Sequence, residues 1–119
     1  MKVAISTEGK DLDAAVDTRF GRAKGFLVYD MDSNESVYVD NKQNLEAAQG
    51  AGIQSAKTVI DAGADAVITG NVGPKAFTTL NSAGVKIYLF KDGNVQKAID
   101  QLRKGELKLT SNANVEGHW

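Results

Sequence analysis

Asp65-Ala66-Val67-Ile68-Thr69-Gly70-Asn71-Val72-Gly73-Pro74-Lys75-Ala76-Phe77 carries a short apolar run into a glycine turn and out into a second apolar pattern, Ala76, Phe77 and Leu80. The first run, β-branched and continuous, reads as a strand and the second as a helix. Pro74, the only proline in the chain, stands where a first helical residue belongs. Proline is tolerated there because the first-turn N–H groups have no partner inside the helix. Glycines in such a turn let backbone amides approach a bound group, and a helix N-terminus favours negative charge. The turn therefore suits an anionic or polar ligand. It equally suits a tight strand-to-helix connection that needs glycine only for positive φ.

The same punctuation extends in both directions. Ile53, Ala56 and Ile60 recur at helical spacing before Ala62-Gly63, and Ala83-Gly84 closes the helix that begins at Pro74. Gly63 and Gly84 fall where a chain leaving a helix adopts the left-handed conformation. Val85 to Phe90 is the next strand, and Val95, Ala98, Ile99 and Leu102 mark a third amphipathic helix. Upstream, Val3-Ala4-Ile5-Ser6-Thr7 is a strand. Phe26 to Tyr29 and Ser36 to Val39 flank the turn-rich link Asp30-Met31-Asp32-Ser33-Asn34-Glu35, a hairpin pattern.

The resulting order is β-β-β-α-β-α-β-α. Three strands with short links form a meander, and each later strand pairs in parallel through a right-handed crossover. The simplest sheet places Val3–Thr7 between Phe26–Tyr29 and Ala66–Thr69. Nearly continuous apolar strands require helices on the sheet faces. This predicts an α/β, ribonuclease-H-like three-layer domain with a mixed five-stranded sheet over residues 1–103. Residues 104–119 read as a polar tail in which Leu107 and Leu109 alone suggest extended structure. Asn112 to Trp119 has too little apolar surface to offset the entropy of ordering and is expected to be mobile.

A chain of 119 residues suits one domain and one core. Its formal charge of −1 supplies no field that argues for nucleic acid or an anionic membrane. The absence of cysteine excludes disulfides, thiol nucleophiles, thiolate zinc sites and self-supplied thiolate ligation of an iron–sulfur cluster. Met1 leads directly into a strand rather than a signal-peptide core, and no apolar run reaches membrane-spanning length. The expectation is a small soluble cytoplasmic domain, with its oligomeric state undetermined.

Candidate chemistry gathers in three places. The stretch Glu8 to Lys24 holds Asp11, Asp13, Asp17, Arg19, Phe20, Gly21 and Arg22. Links beyond about 12 residues without secondary structure are usually functional or disordered. Phe20 between Arg19 and Arg22 suggests an apolar anchor with cations around it, or simply a surface loop pinned by one ring. Gln49-Gly50-Ala51-Gly52-Ile53 is a second glycine-rich helix start. Both starts and the loop fall at the carboxyl edge of the parallel strands, where open α/β sheets bind ligands. The expected pocket comprises Ser6, Thr7, Arg19, Phe20, Arg22, Gly50, Gly52, Asn71 and Gly73. Gly50-Ala51-Gly52 lacks the spacing of a dinucleotide fingerprint, and no Lys-Ser/Thr pair makes a phosphate loop.

Two other classes compete. A divalent-metal-dependent hydrolase or nuclease would draw on Glu8, Asp11, Asp13 or Asp17. Two-metal catalysis needs carboxylates clustered at strand ends, whereas the first strand offers Ser6 and Thr7, and Ala66–Thr69 leads only to Asn71. A regulatory module would use the exposed loop to bind a protein. His118, the sole histidine, reads as an exposed residue near the end of the sequence, with metal ligation as its functional alternative.

The whole pattern resembles the dinitrogenase iron–molybdenum cofactor biosynthesis family of nitrogenase accessory and cofactor-carrier proteins. The matching stretches are Val3 to Gly9, Asp17-Thr18-Arg19-Phe20-Gly21-Arg22-Ala23, Gly50 to Gln54, Gly63 to Ile68, Gly70 to Phe77 and the ending Asn114 to Trp119. The resemblance implies a ribonuclease-H-like fold and non-catalytic binding of an anionic metal–sulfur species. That species would be the iron–molybdenum cofactor, a precursor or another iron–sulfur cluster, handled with a cluster-assembly protein as partner. Nitrogenase-associated members typically carry His-Phe-Gly where this chain has Arg19-Phe20-Gly21. A guanidinium cannot ligate iron, but it can hydrogen-bond sulfides or a carboxylate on an anionic cluster.

Overall fold

The expected central strand organises a six-stranded mixed sheet. The computed structural model describes residues 1–41 and 51–111. Its strands are β1 (Lys2–Thr7), β2 (Gly25–Asp30), β3 (Ser36–Asp40), β4 (Ala66–Thr69), β5 (Lys86–Leu89) and β6 (Lys108–Leu109), in the order β3-β2-β1-β4-β5-β6. β1 pairs antiparallel with β2 and parallel with β4, as the meander and crossover rules require.

Register sets the two faces. Ala4 lies opposite Val28 and Val67, and Val67 lies opposite Ile87, so these four share one face. Ile5, Leu27 and Ile68 share the other. α1 (Ala51–Asp61) and α2 (Pro74–Ser82) cover the first face with Ala56, Val59, Ala76 and Leu80. α3 (Val95–Arg103) covers the second with Val95, Ala98 and Ile99. Both faces of β1 and β4 are thus buried, which explains their unbroken apolar sequences. Gly63 and Gly84 have φ of 84° and 76° and carry the chain out of α1 and α2. The amides of Ala64 and Val85 then close back on Val59 O and Leu80 O.

The sheet has one strand more than the five expected. β6 arises from residues read as tail: Leu109 pairs with Tyr88, and the Thr110 amide donates to Ile87 O at 2.9 Å. Two residues are too few to display a period in sequence, and the open edge of β5 supplies the backbone partners that recruit them. Gly105, with φ of 72°, turns the chain back from α3. Asn112 to Trp119 lies outside the described residues. Among those described, no helix is long and apolar enough to cross a membrane.

At the far end of the sheet, Asp30 caps the β2–β3 turn by accepting the amides of Asp32 and Ser33 at 2.8 and 3.3 Å. These donors hold its carboxyl below the usual carboxylate range. The lowered value means that this stabilisation is present above the ordinary carboxylate pKa and is lost as pH falls through the folded one. The penalty of Asp30→Asn should accordingly be measurable at neutral pH and fade below pH ~3, as read by denaturant unfolding across pH. Ile68 is fully buried between β1, β5 and α3. Ile68→Ala should lower unfolding free energy by about 2–5 kcal/mol, and chemical denaturation measures it directly.

Candidate functional site

The carboxyl ends of β1, β4 and β5 lie along one edge because these strands are mutually parallel. Residues 8–24 leave β1 there and are held down along their length by the turns that follow β4 and β5. The Val16 amide donates to Gly93 O at 3.0 Å and the Phe20 amide to Asn71 O at 3.2 Å, with Arg19 bridged in parallel to Asn71. The loop in turn satisfies α3. Ala14 O accepts the Val95 amide and Leu12 O the Gln96 amide, both at 2.9 Å, while the Asn94 side chain accepts the Lys97 amide at 2.8 Å. The orphan donors of α3's first turn are therefore used within the protein.

α2 is built differently. Its N-cap is Gly73, in extended backbone with φ of −80°, a residue with no side chain to cap the helix. Pro74 removes one amide without loss, and the first turn of α2 faces the same edge as Arg19 and Asn71. α1 begins beside it: a Cβ placed on Gly52 would lie 3.2 Å from the Ala76 Cβ. The first turn of α2 and Gly52 of α1 thus pack together near the loop that carries Arg19, and the N-terminus of a helix favours an anion.

The expected pocket residues divide into a surface and its foundation. Arg19 is exposed and Asn71 and Arg22 are half-buried, with Arg22 closing the short 3-10 turn Phe20–Arg22. Ser6, Thr7 and Phe20 are buried and serve below. The Ser6 hydroxyl donates to Asp17 O at 2.6 Å and shares a hydrogen bond with the Thr69 hydroxyl at 2.9 Å. Thr7 Oγ1 bonds both the amide and the carbonyl of Gly9. Phe20, expected as an apolar anchor at the pocket, packs its ring 5.3 Å from that of Phe26 in the core under α1 and α2. Burying an aromatic ring outweighs any use it has at the surface. Gly50 and His118 lie outside the described residues.

Gly70 is required for close approach rather than for positive φ. A Cβ there would stand 2.6 Å from the Thr18 Cβ and 2.9 Å from its Cα. The turn after β4 and the loop therefore touch backbone to backbone, which brings Arg19 to Asn71. The linear order of residues assigns no role to Asn41 and Ser55, both fully buried. Asn41 Nδ2 donates to Ala23 O at 2.9 Å and to Ser55 Oγ at 3.0 Å, fastening the end of β3 to the 3-10 turn and α1. Their only advance signal is polarity beside apolar elements, which also describes every exposed Asn and Ser.

The carboxylates do not gather. The side chain of Asp11 accepts the Asp13 amide at 3.1 Å in an exposed local turn, whereas Asp17 is buried beside Arg19. Among the described residues, no group of three His, Cys, Asp or Glu is placed to hold a metal ion. A groove of about 410 Å³ lined by Val28, Val37, Val39, Lys2, Asp30 and Glu35 lies on the α1–α2 side at the opposite end of the sheet, away from Arg19.

These features define a mixed α/β domain that brings Arg19 and Asn71 to the sheet edge at the carboxyl ends of its parallel strands, with no metal-ligating cluster among the described residues. The chain belongs to the dinitrogenase iron–molybdenum cofactor family, whose model matches residues 1–105. It is similar in structure to the apo form of the orange protein from Desulfovibrio gigas, with a TM-score of 0.94, 37% identity and 96% of each chain covered. It also resembles a NifB-like protein from Thermotoga, with a TM-score of 0.85, 40% identity and 98% of each chain covered. An uncharacterised protein of Methanocaldococcus jannaschii is 26% identical over 113 residues, covering 91% of this chain and 90% of its own length.

The donor set fits one way of holding a metal–sulfur species and not another. Thiolate ligation has no source in a chain without cysteine. Hydrogen bonding and charge have several: the Arg19 guanidinium, Arg22 and the glycine-led start of α2. Gly70→Ala should force the loop off the turn and cost roughly 1–3 kcal/mol. Denaturant unfolding gives that cost, and faster exchange of the Asp17 and Phe20 amides would locate it.

Proposed function

We propose that this protein is a non-catalytic binding or carrier domain for an anionic metal–sulfur cofactor or its precursor. The reading rests on one juxtaposition: Arg19, exposed and bridged through its backbone to Asn71, lies in the loop held against the turn that opens α2, where α1 packs on α2 at Gly52 and Ala76. Membership of the dinitrogenase iron–molybdenum cofactor family supports the ligand class, for which that cofactor or another iron–sulfur cluster is the candidate. The similar orange protein was solved in an apo form, which accords with a separable bound group.

In this reading Arg19 and Arg22 contribute charge and directed N–H donors to the sulfides or carboxylate of the cluster. Asn71 and the backbone around Gly73 contribute polar groups, while Gly52 keeps α1 close enough for its N-terminus to act on the same space. Ser6, Thr7 and Phe20 hold this surface from below. The cluster is cargo, taken from and handed to a cluster-assembly protein, and the cytoplasm is where such an exchange would occur. The succession β3-β2-β1-β4-β5 with helices on both faces supports reading the scaffold as ribonuclease-H-like.

The test is an anaerobic titration of a preassembled iron–sulfur cluster into the protein, followed by absorption and bound iron. The double substitution Arg19→Ala, Arg22→Ala should weaken binding by roughly 1.5–3 kcal/mol for each charge-assisted hydrogen bond removed. Equal binding by the double variant would remove the loop from the mechanism. Absence of binding by the unsubstituted protein would reject the carrier reading.

A further inference from the structure

Asp17 is a buried carboxylate for which the binding surface described above has no direct use. Its side chain is 7% exposed, while that of Arg19, two residues on, is 51% exposed. The same Asp17 oxygen, Oδ1, accepts the Arg19 amide at 2.9 Å and lies 3.4 Å from Arg19 Nε. The Asp17 backbone is fixed on both sides of the residue, its amide donating to Ser6 O at 2.9 Å and its carbonyl accepting from Ser6 Oγ at 2.6 Å. Ser6 belongs to β1, so the carboxylate is anchored to the central strand of the sheet.

This arrangement has a chemical consequence at Arg19. A guanidinium offers five N–H donors in a planar fork. With Nε turned toward Asp17, the two terminal Nη groups are left at the outer end of the fork. A free arginine side chain surrenders much rotamer entropy on holding an anion, and part of that ordering is already made here by the carboxylate. The adjacent negative charge also offsets the cation, so attraction depends more on where the Nη donors point than on net charge. Such a pair favours an anion with acceptors spaced for the fork over an anion that offers charge alone.

We infer that Asp17 is a positioning residue, which aims the Arg19 guanidinium at the bound anion and acts on binding only through Arg19. The inference rests on the carrier reading, and a double-substitution cycle separates the two. The protein, Asp17→Ala, Arg19→Ala and the double variant are titrated anaerobically with the same preassembled synthetic iron–sulfur cluster, with folding checked by circular dichroism. Misdirecting one charge-assisted hydrogen bond should raise the dissociation constant of Asp17→Ala about tenfold. In the Arg19→Ala background the same substitution should change nothing, because the group it orients is gone. A merely structural Asp17 would weaken binding by the same factor in both backgrounds.

Should Asp17→Ala fail to fold, Asp17→Asn keeps the shape and an oxygen acceptor but removes the charge that grips Nε. It should weaken binding about threefold alone and not at all with Arg19→Ala. Absence of cluster binding by the unsubstituted protein would sink the carrier reading and this inference with it, whereas Arg19→Ala binding as well as the unsubstituted protein would overturn this inference and leave the carrier reading standing. A weakened Arg19→Ala together with an unaffected Asp17 variant, or with equal Asp17 effects in both backgrounds, would overturn the inference alone.

Discussion

The docking of residues 8–24 onto the turns after β4 and β5 is the constraint on which the rest of the site depends. A connection of this length between adjacent strands could have stood away in solvent at little cost in loop entropy. Here its backbone is committed to specific partners: Asn71 O, Gly93 O and the first amides of α3. Each bond contributes modestly, but together they fill the start of α3. α3 receives loop carbonyls and a side-chain cap from Asn94, whereas α2 begins with Gly73 and Pro74, which bring no side-chain cap of their own.

That division gives the edge its chemistry. Buried hydroxyls and carboxylate act under the surface, with Ser6 joining Asp17 to Thr69 across β1 and β4. Buried polar groups are tolerated only when bonded, and these are. Above them stand a guanidinium and the starts of two helices, groups that attract anions without forming coordinate bonds.

Much of the scaffold was legible because its signals are local or periodic. The strand of Ala66–Thr69, the proline at the first position of α2 and the left-handed glycines after α1 and α2 each follow from a few neighbouring residues. The central position of β1 followed from connection rules alone. For Phe20 the flanking arginines leave open an anchor at the pocket or a ring that pins the loop. A 3-10 turn rotates residues 20 and 22 apart and sends the ring inward to Phe26, where it pins the loop. β6 escaped because two residues carry no period, and Asn41 and Ser55 because nothing in the linear order distinguishes a buried amide from an exposed one.

The sequence by itself determined the α/β class, the order of its elements as far as α3 and the lack of cysteine thiolates, since these rest on periodicity, turn residues and composition. The tertiary structure decided how the candidate groups are shared between support and surface. Gly70 could be a turn residue or a point of close approach until Thr18 was seen against it. Asp17 could be a solvated charge on an exposed loop until its burial beside Arg19 was seen. Such roles depend on which segments meet across the sheet edge. That meeting is set by packing and backbone pairing between residues dozens of positions apart, which no local pattern encodes.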